Sequence, residues 1–143
     1  MLKRIALAVF LVGVAACTQV VTSTTSEIRP MRYALIEFTQ QLAAHDSAVA
    51  YAKRAFAAEK IALQPGDVSG GVVVGGPLHF NAEGDQPVLD ATITITSMTR
   101  GAETKYRIYA ASVMPSGAVG GVDPRLMSLV QRLSQHINSM VSP

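Results

Sequence analysis

Val88-Leu89-Asp90-Ala91-Thr92-Ile93-Thr94-Ile95-Thr96-Ser97-Met98 sends Leu89, Ala91, Ile93 and Ile95 one way and Asp90, Thr92, Thr94 and Thr96 the other. Successive side chains of an extended chain leave opposite faces, so this stretch predicts a strand that is dry on one side and wet on the other. Thr99-Arg100-Gly101-Ala102 then turns the chain into 103–114, where Tyr106, Ile108 and Ala110 alternate with Lys105, Arg107 and Tyr109. Two alternating runs joined by a short glycine-containing turn predict an antiparallel hairpin. A sheet with one dry face needs a second layer to cover it, and the rest of the chain has to supply that layer.

Working outward, 68–74 and 78–80 are apolar and extended in character, separated by Gly75-Gly76-Pro77. They predict one strand with a bulge or two short strands. Downstream, Asp123-Pro124 announces a helix, with an N-cap followed by proline at the first helical position. Leu126, Leu129, Val130, Leu133, Ile137 and Met140 form its apolar stripe, suited to the dry face of the sheet.

Residues 31–63 form the ambiguous segment. Met31, Leu35, Phe38, Leu42, His45, Val49, Ala52, Phe56, Glu59 and Leu63 recur in alternating steps of four and three, the seam of an amphipathic helix, and many alanines favour helix. A continuous helix here would run about 50 Å, long for so small a domain. A break at His45-Asp46-Ser47 is expected, with Asp46 or Ser47 capping a second helix. The alternative makes 33–38 a strand that feeds a helix; the helical spacing is preferred. Gln64-Pro65-Gly66-Asp67 ends the segment. The expected architecture is a two-layer α+β sandwich: an N-terminal helix, whole or broken, then three or four antiparallel strands and a C-terminal helix.

The chain opens with Met1-Leu2-Lys3-Arg4, runs apolar through 5–14, and reaches Ala15-Ala16-Cys17. A positive segment, an apolar segment and small residues before a cut are the layout of a secretory signal. Val14-Ala15-Ala16-Cys17 resembles the lipobox of bacterial lipoproteins, with valine where leucine is commonest, and the resemblance covers residues 1 to about 18. It implies removal of 1–16, a diacylglycerol on the Cys17 thiol and acylation of the new amino terminus. Thr18 stands where an aspartate retains such proteins in the inner membrane of enteric bacteria, so the resemblance implies sorting to the outer membrane, on its periplasmic face. The residues agree with it. The apolar run is shorter than the roughly 20 residues that cross a bilayer. Cys17 is the single cysteine, so a disulfide within the chain is excluded, and covalent use of the thiol explains it better than plain secretion. Residues 17–27 then read as the acylated cysteine with a Ser/Thr-rich tether, and 28–143 as one domain.

The full chain carries 12 Lys+Arg against 10 Asp+Glu. Two of those cations, Lys3 and Arg4, leave with the leader, so the mature chain is formally neutral. A neutral chain without a basic run gives no footing for nucleic acid, whose phosphates call for clustered Lys and Arg. His45, His79 and His136 stand in separate elements without metal-ligand spacing, so neither a metal nor a cofactor is expected. Residues 70–76 are glycine-rich but lack the Gly-Lys-Ser/Thr of a phosphate loop. Glu83, Asp85 and Asp90 lack the register of a calcium loop, and no Gly-x-Ser-x-Gly nucleophile elbow is present. A catalytic role is not expected.

Two surfaces remain as candidates for binding. Thr92, Thr94 and Thr96 give the wet sheet face a row of hydroxyls. Leu35, Phe38, Leu42, Val49 and Phe56, on the seam of the first helix, are a possible interface for another envelope protein or a second copy. The expected function is an accessory or assembly subunit of an envelope complex, such as a secretion, surface-appendage or outer-membrane assembly machine, held to the membrane by acyl chains on Cys17. The alternative is a carrier or chaperone for lipid or lipopolysaccharide, which needs a lined cavity.

Overall fold

The computed structural model describes residues 29–42, 47–65, 69–115 and 117–141; the leader, Cys17, the Ser/Thr tract, His45 and Asp46 lie outside them. Strand β1 (Met31–Gln41) leads to helix α1 (Ala48–Ala58), then come β2 (Val72–Phe80), β3 (Leu89–Arg100), β4 (Glu103–Val113), the short β5 (Gly121–Val122) and helix α2 (Pro124–Val141). The strands form one sheet in the order β2-β3-β4-β1-β5. Both helices pack on one face, giving the two layers of an α+β fold.

The hairpin of β3 and β4 is the centre of the sheet, in register from Thr92 opposite Ala111 to Arg100 opposite Glu103. Its alternation is the expected one: Leu89, Ala91, Ile93 and Ile95 of β3, with Tyr106, Ile108 and Ala110 of β4, are buried beneath the helices. Strand β2 continues the sheet beside β3, and its register shifts between Gly75 and Leu78, the bulge expected at Gly75-Gly76-Pro77. Gly75 lies under α1, where a Cβ would come within 2.7 Å of a Phe56 ring carbon, so any side chain there would lift the helix.

Residues 31–41 are a strand, which corrects the preferred helical expectation. β1 pairs with β4 along its whole length, from Met31 opposite Val113 to Gln41 opposite Glu103. Ala34, Ile36, Phe38 and Gln40 turn toward the helices, and Tyr33, Leu35, Glu37 and Thr39 turn away. The steps of four and three arose because apolar residues occupy both faces of this strand, so a period of two was hidden. Pairing with a central strand outweighed a local spacing that suited a helix. Helix α1 begins where the second helix was expected, and Ser47 caps it by accepting a hydrogen bond from the Ala50 N–H at 3.2 Å. The sheet is also wider than expected. It has five strands, not three or four, and it is mixed, because β5 pairs with β1 in parallel through Arg32–Gly121 and Tyr33–Val122.

Helix α2 begins as the sequence predicts. Asp123 accepts a hydrogen bond from the Arg125 N–H at 2.9 Å, and Leu126, Leu129, Val130, Leu133 and Ile137 are buried against the sheet. Phe56, Tyr106, Leu126, Leu133 and Ile137 are large side chains fully buried between the layers. Phe38 stacks on Tyr106 with ring centroids 5.1 Å apart.

Candidate functional site: the open face of the sheet

The helices cover one face of the sheet, and the pleat carries every second residue of each strand to the other. Cross-strand register orders that open face into rows. Val74, Thr94, Tyr109 and Leu35 lie in one row, and Val72, Thr96, Arg107 and Glu37 in the next. Beyond them, Met98 stands opposite Lys105, which stands opposite Thr39. In the other direction, Thr92 stands opposite Ala111, which stands opposite Tyr33 and then Val122. The face therefore has two ends of different chemistry.

At the charged end, Arg107 Nε donates to Glu37 Oε1 at 2.6 Å, and Lys105 Nζ lies 3.7 Å from Glu37 Oε2. The Arg107 hydrogen bond, followed by the charge of Lys105, holds the Glu37 carboxyl below its ordinary value. Two adjoining hollows sit here, both open to solvent. One, of about 280 Å³, is lined by Glu37, Thr96, Met98, Lys105 and Arg107. The other, of about 370 Å³, is lined by Leu35, Thr94, Thr96, Arg107 and Tyr109. Threonine hydroxyls, a guanidinium, an ammonium and a tyrosine ring on a flat face are equipped for polar contact with a partner surface. At the opposite end Met31, Tyr33, Val113 and Val122 are all exposed on the β4–β1–β5 side, and the exposed Asp90–His79 pair lies beyond Thr92 on the β2–β3 side of the same face. The Tyr109 hydroxyl donates to Met31 Sδ at 3.1 Å and links the two regions.

The expected threonine row lies on this face. The helical-seam residues do not share a surface: Phe56 and Leu42 are buried in the core, Phe38 and Val49 pack against it, and Leu35 alone reaches the open face. The seam was an artefact of reading β1 as helix, and no single surface carries all five residues. His79 is bonded across the strands to Asp90 at 2.8 Å, and His136 to Glu59 at 2.9 Å, where Arg132 also binds that carboxylate at 3.1 Å. Burial works to raise the Glu59 pKa, but the bonds from His136 and Arg132 outweigh it and the carboxyl sits below its ordinary value. Among the described residues, no group of three His, Cys, Asp or Glu side chains is placed to hold a metal ion. Among them, too, no helix is long and apolar enough to cross a membrane.

Sequence reasoning missed the Glu37–Lys105–Arg107 cluster and the apolar end. A period-two reading of 31–41 would have found both, because it places Met31, Tyr33, Leu35 and Glu37 on the same side as Lys105 and Arg107.

At the end of the sheet where β1 begins, a buried ionic knot closes the space between the layers. Asp123 is fully buried and accepts from Arg125 Nη2 at 3.0 Å, while Arg125 also donates to the carbonyls of Asn81 at 2.7 Å and Pro87 at 2.8 Å. Burial tends to raise the Asp123 pKa, but the side-chain and backbone hydrogen bonds from Arg125 outweigh it and lower it. Arg125 is a structural tie between the start of α2 and the β2–β3 connection, and its guanidinium also lies over the Phe80 ring, 5.7 Å from the centroid.

No family model matches this chain, and no curated protein does. Among solved structures it is similar to ginseng major latex-like protein 151 from Panax ginseng, at 8% identity and a TM-score of 0.39, over 78% of this chain and 99% of that one. It is also similar to an uncharacterized protein from Rhizobium leguminosarum, at 8% identity and a TM-score of 0.33, over 80% of this chain and 98% of that one. Likenesses this distant carry no argument about what the chain does.

Proposed function

We propose that this chain is a non-catalytic envelope lipoprotein of the outer membrane, held by acyl chains on Cys17, whose domain is an accessory or assembly subunit of an envelope complex. The observation that supports this most is the open sheet face: its polar half, with Thr94, Thr96, Glu37, Lys105 and Arg107, has no covering layer among the described residues. A secretion, surface-appendage or outer-membrane assembly machine would use such a face to seat the subunit. The carrier reading has less support, because the hollow of about 450 Å³ between the start of α1 and the end of β3, lined by Ser47, Val49, Gly71, Ser97 and Met98 among others, is open to solvent and does not enclose an acyl chain.

Intact mass of the membrane-extracted protein tests the anchor. Cleavage before Cys17 with added acyl mass is expected, and the Cys17→Ala variant loses that mass. A photo-crosslinking residue at Thr94 in the native membrane fraction then tests the docking face, with Gln135 on the exposed side of α2 as control. One discrete adduct from position 94 and none from position 135 is expected. Equal adducts from both positions would sink the docking assignment.

A further inference from the structure

Exposed apolar side chains gather where the chain arrives from Cys17. Val113 stands opposite Met31, and Val122 opposite Tyr33, so the pleat places all four on the open face. Gly120 presses its backbone against Met31 so closely that a Cβ would lie 2.6 Å from the Met31 carbonyl oxygen, so the loop that carries Val119 runs along this end of the sheet. Val119 is 80% exposed, Val113 64% and Val122 52%. Solitary exposed valines need no explanation, but a contiguous apolar group at one end of a sheet does.

We infer that this end of the domain is a membrane-contact surface, seated in the interfacial zone of the leaflet that holds the acyl chains. The inference rests on the acylation of Cys17 proposed above. Its occupant follows from where the tether leads: residues 18–30 join Cys17 to Met31, inside the apolar group, and span at most about 50 Å even if fully extended. The charged end, at Glu37, is six residues further along β1, about 20 Å away. Anchoring makes contact between the domain and the bilayer intramolecular, so even a weak apolar attraction is populated, and of the two ends within reach of the tether the one with the exposed valines gains by it. The chemistry suits the interface: valine and methionine side chains with a tyrosine whose hydroxyl can stay among headgroups. Asp123, which follows Val122, is buried and bonded to Arg125, and the exposed Asp90 on the same face is paired with His79 at 2.8 Å on the β2–β3 side, away from β5. With this end down, the Glu37–Lys105–Arg107 end of the same face points away from the membrane.

The chain has no tryptophan, so single-tryptophan variants report depth cleanly. The full acylated protein with Val119→Trp, or with Val113→Trp as a second reporter, is reconstituted in phosphatidylethanolamine–phosphatidylglycerol vesicles and compared with Met98→Trp at the charged end, where the native side chain is 71% exposed. Blue-shifted emission and several-fold stronger quenching by brominated acyl chains at 119 and 113 than at 98 are expected. Equal quenching at both ends, with intact mass showing an acylated Cys17, overturns the inference and leaves the anchor standing. A blue shift without bromolipid quenching means that a second copy covers the patch, and also overturns it. An unacylated Cys17 removes the anchor and the inference together, and the mass spectrum tells that failure from the others.

Discussion

Asp123 and Glu37 are both carboxylates held by cations, yet burial gives them different work. Asp123 is fully buried, caps α2 and holds Arg125, which in turn ties down Asn81 and Pro87. Removing one partner of a buried pair strands the other in a medium that penalises charge, at a cost of about 3–5 kcal/mol. Asp123→Ala is therefore expected to lower the urea midpoint sharply, and a midpoint within error of the parent would show that solvent relieves Arg125. Glu37 faces water, where Arg107 and Lys105 are screened and the pair adds little to stability. Glu37→Ala is expected to leave the midpoint unchanged while altering the proposed docking face. The two residues separate a structural ion pair from a surface one, a distinction that the sequence alone did not make.

Among the elements, β3, β4 and α2 were legible because each has one face in the core and one in water, and their apolar residues mark the period directly. β1 was not, because Tyr33 and Leu35 place apolar groups on the open face, and its heptad-like spacing ran into the true helix α1. β5 has two residues and therefore no period to read. The open face was half legible: its threonines were found, but the charges and apolar groups that β1 contributes were not. The strand assignment has a specific consequence. The Tyr33 carbonyl accepts from the Asp123 N–H on the outer edge, while the Pro30 carbonyl accepts from Met114 on the β4 side. Backbone groups alternate along a strand, so Leu35 directs its N–H to the outer edge and Ile36 toward β4. Leu35→Pro loses no ladder bond, whereas Ile36→Pro orphans a carbonyl of β4 at about 1–3 kcal/mol and adds the steric cost of proline in a paired strand. Thermal unfolding should rank Ile36→Pro far below Leu35→Pro. Equal losses would be the behaviour of a helix interior and would count against the strand.

For the molecule as a whole, the sheet is a partition: one face makes the core with α1 and α2, and the other is left for surroundings that the lipid anchor would select. Stability comes from the covered side, and its dependence on acid follows from the carboxylates that join the elements there. Asp123 ties α2 to the β2–β3 connection through Arg125, and Glu59 ties α1 to α2 through Arg132 and His136. Both have folded-state pKa values below their ordinary ones. The unfolded chain therefore binds more protons than the folded one as pH falls through the usual carboxylate range, and stability must fall with it. The contribution is complete above the unfolded values, about 4 to 4.5, and is lost as pH drops through the lowered folded values. Urea midpoints taken at intervals from neutral pH to pH 3 should hold level with respect to these groups down to about pH 5 and then decline. Asp123→Asn should shallow that decline, because its amide does not titrate, even though the variant starts from a lower midpoint. An unchanged slope in Asp123→Asn would mean that Asp123 takes up its proton equally well folded and unfolded, and that the acid sensitivity of the fold lies in the Glu59 tie between the helices.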